Sequence, residues 1–221
     1  MSVCDPASAD LPPGEWTHLL VGHQWPGAGA LAVLTAAAAG RLALGASHDG
    51  YADTLRSIRA GIVSRQSGLT ADAAEDAFRR GEVTARAISA RNAVKRDCYE
   101  SARSWVSDLR ADLGEIAAAG NAAIRRALDS DMPAGQKLDA IVGTVIDARE
   151  QANATAGRCG ANVLGAIQQV LESGDAGTSA REFAHRHGVE LDRAFGTPNH
   201  DAVRAEVTAM MRGRPDTRIG P

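Results

Sequence analysis

Glycines in the first part of the chain have the spacing of residues that cradle phosphate groups. Residues 20–34 read LVGHQWPGAGALAVL, and Gly27, Gly29 and the later Asp49 match part of a dinucleotide-binding fingerprint. That fingerprint needs a strand ending in the acidic residue, and no β pattern precedes Asp49. A Walker loop also needs a lysine and a hydroxyl residue, and neither follows the glycines. We therefore interpret Pro26 as the start of a helix.

Histidine and cysteine side chains could ligate a metal or act as nucleophiles. His185 and His187 form an H-x-H pattern, and His200 follows nearby. Residues two apart on a helix point in different directions, so we expect solvated surface histidines. The three cysteines lie far apart and form no C-x-x-C pair, which predicts isolated thiols. No catalytic motif is present, so we expect no metal site, no cofactor, no small-molecule substrate and no enzymatic activity.

A segment near the C-terminal end, residues 179–195, has some features of a helix-turn-helix unit that binds DNA. Its arginines could contact phosphates, and they are Arg181, Arg186 and Arg193. However, a glycine and Pro198 stop the second helix early, and acidic residues interleave the basic ones. A DNA-binding regulator therefore stays an alternative, and nucleic acid is not the expected partner.

The composition favours an all-α protein. Alanine is abundant and only 4% of the 221 residues are aromatic, which suits helices better than strands. The net charge of −3 and the 44% hydrophobic content are ordinary for a globular protein. The N-terminal stretch is acidic and proline-rich, unlike a classical signal peptide. The most apolar run, residues 27–40, is shorter than the roughly 20 residues of a membrane span, so none is expected.

Apolar spacing predicts three long helices. The first runs from about 26 to 65, with an interruption expected at 45–50. Gly68 marks a turn, and from there to about 129 apolar residues recur in alternating steps of four and three, the spacing of helices packed as a coiled coil. Asn92 and Lys95 interrupt this apolar seam, where a register-fixing polar contact would fit.

The remaining signals complete the predicted domain organisation. A third long helix follows Pro133 to about residue 171. Ser179 and Glu182 form a capping box for a short helix that Gly188 closes, and a last helix covers about 199–211. The fold class is therefore an elongated antiparallel helical bundle built on a long helical hairpin and a third helix. Its parts are a flexible tail, the bundle and a small helical C-terminal segment with a flexible end, at residues 1–13, 14–172 and 173–221.

The block SGLTADAAEDAFRRGE, which joins two long amphipathic helices, resembles the WXG-like helical hairpins of actinobacterial type VII (ESX) secretion. The opening EWTHLLVGHQWP and the later GNAAIRRALDSDMPAGQKLDAIVGTVIDAREQANA are similar to segments of longer secretion-associated proteins. At the turn, only Gly68 of the W-x-G motif is present. The Y-x-x-x-[DE] export signal is absent, because Arg103 stands four residues after Tyr99 and Leu55 after Tyr51.

The resemblance implies a secretion substrate or helper that acts through helix packing, located in the cytoplasm before export or secreted by the type VII route. Its partner would be a small WXG-type helical protein or a second copy, since a hairpin has too little interior to bury both apolar seams. The predicted interface residues are Phe78, Ile88, Trp105, Leu109, Leu113 and the turn residue Gly68. For each of the side chains, an intramolecular core position is the competing interpretation. A structural helical protein of unrelated function is the remaining alternative.

Overall fold

The computed structural model describes residues 10–174, 176–189 and 197–213. The predicted all-α class is confirmed, because these residues form long helices that pack on one another and contain no strand. The helices are α1 (Thr17–Val21), α2 (Ala28–Gly61), α3 (Leu69–Asp129), α4 (Ala134–Ser173), α5 (Ala180–Arg186) and α6 (His200–Arg212), with a 3₁₀ turn at Val63–Arg65. The chain divides into two compact units, and α3 and α4 contribute residues to both.

Helix α2 is continuous, so the predicted interruption at residues 45–50 is wrong. Gly45 lies inside the helix and is buried. A Cβ atom at this position would lie 3.6 Å from the Ser89 Oγ and 3.8 Å from the Asn92 Cβ of α3. Gly45 therefore packs against α3 at ordinary van der Waals distance, and the helix continues through it although glycine has a low helix propensity.

The predicted turn and the long helix after it are present. Gly68 has φ +110°, a conformation that favours glycine, and α3 begins at the next residue. Helix α3 then runs without a break to Asp129. At Asn92, the side-chain Nδ2 donates to the Ile88 carbonyl and Oδ1 lies 3.5 Å from the Arg41 Nη1 of α2. The polar residue in the seam thus faces the neighbouring helix.

The first unit contains the large apolar core. It comprises residues 10–30, 105–162 and the described residues from 184 onward. Its fully buried apolar side chains come from α1, α3, α4 and α6, and they are Leu20, Val21, Leu113, Ile124, Ile141, Val145, Val203 and Val207. Arg149 on α4 joins two of these helices, because it donates to the Leu19 carbonyl at 2.7 Å and pairs with Glu206 at 2.5 Å. Hydrophobic burial with a few well-placed polar links stabilises this unit.

The second unit has a small and polar interior. It comprises residues 31–104 and 163–183, so α2 packs here on the first part of α3. Its buried apolar residues are mostly alanines, and Leu55 and Val63 are the larger ones. A Cβ atom on Gly81 would lie 2.9 Å from the Leu55 Cδ1, so glycine makes room for that leucine. Little apolar area is buried, and the helices approach through small residues.

Both short C-terminal helices have capped N-termini, and the serine cap of the first one was predicted. The Ser179 Oγ accepts a hydrogen bond from the Glu182 amide at 3.2 Å, and Gly188 ends the first helix at φ +77°. Asn199 caps α6 by accepting from the amides of the second and third residues after it. The second helix of the proposed helix-turn-helix unit, with Arg193, lies outside the described residues.

Candidate partner-binding surface

Two of the predicted interface residues belong to the core of the first unit. Leu113 is completely buried and Leu109 nearly so, among side chains of α1, α4 and α6. Trp105 is half-buried, and its carbonyl accepts a weak hydrogen bond from the Cys159 thiol at 3.6 Å. The intramolecular interpretation therefore describes Leu109 and Leu113, which present no surface to a partner.

The other predicted interface residues lie in the second unit. Phe78 and Ile88 are half-buried on α3, and the exposed Gly68 forms the turn that joins α2 to α3. None of the three belongs to the large apolar core. The predicted candidates are thus divided between the two units.

A different set of residues forms a stripe along α2, which we call the α2 exposed seam. Its members are Val33, Ala37, Gly40, Leu44, Ser47 and Tyr51, and they repeat in alternating steps of four and three. The side chains of Val33, Leu44 and Tyr51 are 68%, 47% and 56% exposed. Residues in these steps lie on one face of a helix, and no charged residue is among them. This face has the pattern of a helix-packing surface but nothing in the described part of the chain covers it.

Small residues and ion pairs, unlike the uncharged residues of the exposed seam, lie where α2 packs on α3. The buried residues of α2 are Ala38, Gly45, Ala52 and Leu55. Ionic contacts join the helices beside them: Glu82 is buried and accepts from Arg56 at 2.6 Å and Arg59 at 3.2 Å. On α2, mostly small residues are covered, with Leu55 the one large exception, while Val33, Leu44 and Tyr51 are exposed. This inversion is what makes the exposed seam a candidate binding surface.

Asp49 is the centre of a second polar cluster between the same helices. Its carboxylate accepts from the Ser89 hydroxyl at 2.8 Å and from Arg86 at 3.0 Å, and Arg86 also pairs with Asp53. The hydrogen bond from Ser89 and the Arg86 guanidinium lower the pKa of the Asp49 carboxyl. Folding therefore favours the ionised form of Asp49. Its contribution to the free energy of unfolding is present above the ordinary carboxyl pKa and is lost as the pH falls through the lowered pKa.

We expect Ser89→Ala to raise the pKa of Asp49 toward the ordinary carboxyl value, because the first of these two donors is removed. The measurement is a carboxyl NMR titration of the full chain. Ser57→Ala, at an exposed serine on α2, the helix that carries Asp49, is the matched control and should leave the Asp49 pKa unchanged. An unchanged pKa in Ser89→Ala would contradict the role assigned to this hydroxyl.

Helix α2 is also long and apolar enough to cross a membrane, a property found over residues 28–65 near the N-terminus. The helix is thus longer than the apolar run 27–40 that the sequence marks. In residues 28–47 there are five leucines and valines, each contributing about −0.3 to −0.6 kcal/mol to insertion. Arg41 costs about 2.5–3.5 kcal/mol inside a span and cancels that gain. The gain from the apolar side chains and the cost of the one charged residue are therefore of similar size.

The thiols and histidines of the described residues are not arranged as a reactive centre. Burial raises the pKa of the thiols of Cys98 and Cys159, so both are protonated at neutral pH. His185, His187 and His200 are exposed, and no group of three or more metal-binding side chains forms within the described ranges.

The α2 exposed seam carries a signal that sequence reasoning could have used. The same steps of four and three that mark α3 occur from residue 33 to residue 51. A covered seam with Arg41, His48 and Arg59 runs beside it on the same helix. The covered seam contains basic residues that can pair with polar groups of α3. The exposed seam contains no charged residue, so it needs an apolar partner.

No family model matches this chain, and no solved structure matches it. The chain is similar to Rv2082 of Mycobacterium tuberculosis, a protein described as uncharacterized, with 35% identity over 192 residues. The aligned region covers 84% of this chain and 25% of that protein. The chain thus spans about a quarter of the length of its relative.

Proposed function

We propose that this is a non-enzymatic helical-hairpin protein of the WXG-like type VII secretion class, which binds a helical partner through the α2 exposed seam. The hairpin of α2 and α3, with its turn at Gly68, supports this assignment. The lack of the export signal after Tyr99 fits a protein whose partner carries the signal. Before export the complex would lie in the cytoplasm.

The exposure of large apolar side chains on α2 is the single observation that carries the proposal. Val33, Leu44 and Tyr51 are each about half or more exposed. Full burial of such a side chain contributes about 1.5–3 kcal/mol, so covering the exposed part yields about 1 kcal/mol for each. Polar pairs such as Glu82 with Arg56 are already satisfied inside the hairpin. The free energy available for binding is therefore concentrated on the seam.

An export assay in an actinobacterial host tests the secretion part of the proposal. The tagged chain is produced in a strain with an active type VII secretion ATPase and in an isogenic strain with that ATPase inactivated. We expect the chain in the medium of the first strain only, or retained in its cytoplasm in complex with a WXG-type protein. An equal distribution in the two strains, together with no WXG-type protein in complex, would refute the assignment.

A matched pair of variants tests the seam in the same assay. Leu44→Asp places a charge on the exposed seam and should abolish both export and complex formation. Ala46→Asp adds the same charge at an exposed position of α2 outside the seam, and we expect wild-type behaviour. If both variants behave alike, the seam is not the binding surface.

A further inference from the structure

We infer that a cleft between α3 and α4, beside Trp105, is a binding site for a guanidinium cation. The inference goes beyond the proposed function, because the cleft belongs to the first unit and shares no residue with the α2 exposed seam. It is carried by the shape of the cleft, by two carboxylates that have no basic partner and by a guanidinium held in similar surroundings elsewhere in the chain.

The cleft is a defined cavity of about 140 Å³. Trp105, Asp108 and Asp112 line it from α3, in steps of three and four that place them on one face of the helix. Thr155 and Cys159 line it from α4, and the Cys159 thiol lies 3.6 Å from the Trp105 carbonyl, so the two helices are in contact beside the cleft. A cavity of about 150 Å³ takes a benzene molecule, so this one has room for a planar cation no larger than benzene.

The carboxylates of the cleft are not neutralised within the described ranges of the chain. Asp108 and Asp112 are exposed, and neither pairs there with a basic side chain. Arg158 lines the cleft from α4, but its Nη2 donates to the Thr155 Oγ1 at 3.1 Å. Like charges one turn apart on a helix repel each other, and a bound cation would relieve that repulsion. The cleft thus has an excess of negative charge.

The thiol beside the cleft reports the field of these carboxylates. Burial raises the pKa of Cys159, and the charge of Asp108 raises it further. The Asp108 carboxylate therefore acts on groups inside the cleft as well as on the solvent around it. Since the thiol stays protonated at neutral pH, it offers no nucleophile, and the site is suited to reversible binding of a cation.

The chain already holds one guanidinium between an indole ring and a carboxylate. The guanidinium carbon of Arg110 lies 4.5 Å from the centroid of the Trp25 ring, and Nη1 of the same side chain donates to the Asp10 carboxylate at 2.6 Å. A cation–π contact and a charge-assisted hydrogen bond thus act on the same group. The cleft beside Trp105 offers an indole and two carboxylates, and among the described residues no arginine or lysine stacks on that indole.

The chemistry of the cleft favours a guanidinium over an ammonium group. A guanidinium is planar, weakly hydrated and stacks on aromatic rings, whereas an ammonium is a compact and strongly hydrated charge. The Cβ atoms of residues one turn apart on a helix are separated by about 5–6 Å, so the fork of N–H donors on one guanidinium can reach both carboxylates. The cation comes either from a small free molecule or from an arginine side chain of a partner, and the experiment separates these two sources.

The experiment is an NMR titration of the full chain, with the Trp105 indole N–H signal as the reporter and the Trp16 indole signal as the internal reference. The probes are methylguanidinium, its neutral analogue N-methylurea, methylammonium and a blocked tripeptide with a central arginine. Because the cleft is open to solvent, we expect methylguanidinium to bind with a Kd of about 1 mM. Methylammonium should bind about 10-fold more weakly. N-methylurea should leave the Trp105 signal in place.

Conservative variants test the role of the charges. Asp108→Asn/Asp112→Asn removes both charges, keeps the side-chain size and changes only exposed positions, so we expect binding of methylguanidinium to weaken about 10-fold or more. Glu75→Gln, at an exposed position of α3 in the second unit, is the matched control and should leave the affinity unchanged. Arg158→Gln removes the competing cation and should strengthen binding. Circular dichroism checks that each variant keeps its helix content.

The inference is wrong if methylguanidinium up to about 20 mM, well above the expected Kd, leaves the Trp105 signal unchanged. It is also wrong if N-methylurea binds equally well, because the site would then not recognise charge, or if the double asparagine variant keeps the wild-type affinity. A tripeptide that binds about 10-fold or more tightly than methylguanidinium would place the cation on a protein partner, since contacts beyond the guanidinium contribute. Equal affinity of the two probes would identify a small free molecule as the source, and both results support the site.

Discussion

Leu113→Ala is expected to lower the free energy of unfolding by about 2–5 kcal/mol, whereas Leu44→Ala should change it by less than about 0.5 kcal/mol. The two substitutions remove the same atoms from the same residue type. Leu113 is completely buried in the core of the first unit, and Leu44 is 47% exposed on α2. The loss at Leu113 includes both the transfer of its side chain to water and the cavity it leaves.

Urea denaturation of the full chain measures both values, at about 1 µM so that association through α2 does not contribute. The pair separates two roles that the sequence leaves open, because core and interface leucines have the same spacing on a helix. Comparable losses in the two variants would mean that Leu44 is covered within the chain, and the α2 exposed seam would then not be available to a partner. A small loss in Leu113→Ala would contradict the core assignment.

The helices themselves were predictable because their signals are local. Steps of four and three along α3, the turn glycine Gly68 and the cap at Ser179 each act within a few residues, and each is present in the structure. The continuity of α2 through Gly45 was not predictable in this way. Gly45 packs beside Ser89, a residue more than forty positions away, and local sequence does not show this contact. A glycine by itself is typical of a helix break.

The binding surface was harder to predict than the fold, for a physical reason. A heptad pattern shows which residues share a face, but it does not show what covers that face. Leu109 and Leu113 were candidates because they lie in the strongest seam, and that strength reflects the first unit's core. On α2 the exposed seam is weaker in hydrophobicity, since alanine, glycine and serine alternate with the large residues. Its significance depends on exposure, which only the packed structure provides.

The polar network around Asn121 was also beyond sequence reasoning. The Asn121 Oδ1 accepts from the Trp16 amide at 3.0 Å, and its Nδ2 donates to the Thr17 Oγ1 at 3.0 Å. Asn121 is more than a hundred positions away from Trp16 and Thr17 in the chain, and all three residues are buried. Gly14 passes so close that a Cβ atom there would lie 2.4 Å from the Asn121 Nδ2. One side chain of α3 thus anchors the start of α1 by its backbone and side-chain groups.

Asn121→Leu is therefore expected to destabilise the chain by about 2–4 kcal/mol, although leucine is similar in size and more apolar. The Trp16 amide and the Thr17 hydroxyl would lose their partner in a buried site, and each unsatisfied group costs about 1–3 kcal/mol. Urea denaturation gives the free energy, with Asn162→Leu on an exposed part of α4 as the matched control. Hydrogen exchange of the Trp16 amide provides a local measurement and should become faster.

A double-mutant cycle with Thr17→Val isolates the polar contribution from a general packing defect. Valine removes the hydroxyl that Asn121 satisfies, so in the double variant one of the two unsatisfied groups no longer exists. We expect the double variant to be more stable than the sum of the single losses predicts, by about 0.5–3 kcal/mol. Additive losses would mean that leucine at position 121 acts through steric misfit, and the hydrogen bonds would then not be what fixes α1 on α3. A positive coupling together with faster exchange at Trp16 would place the stabilising effect on the Asn121 amide itself, because a packing defect alone predicts neither.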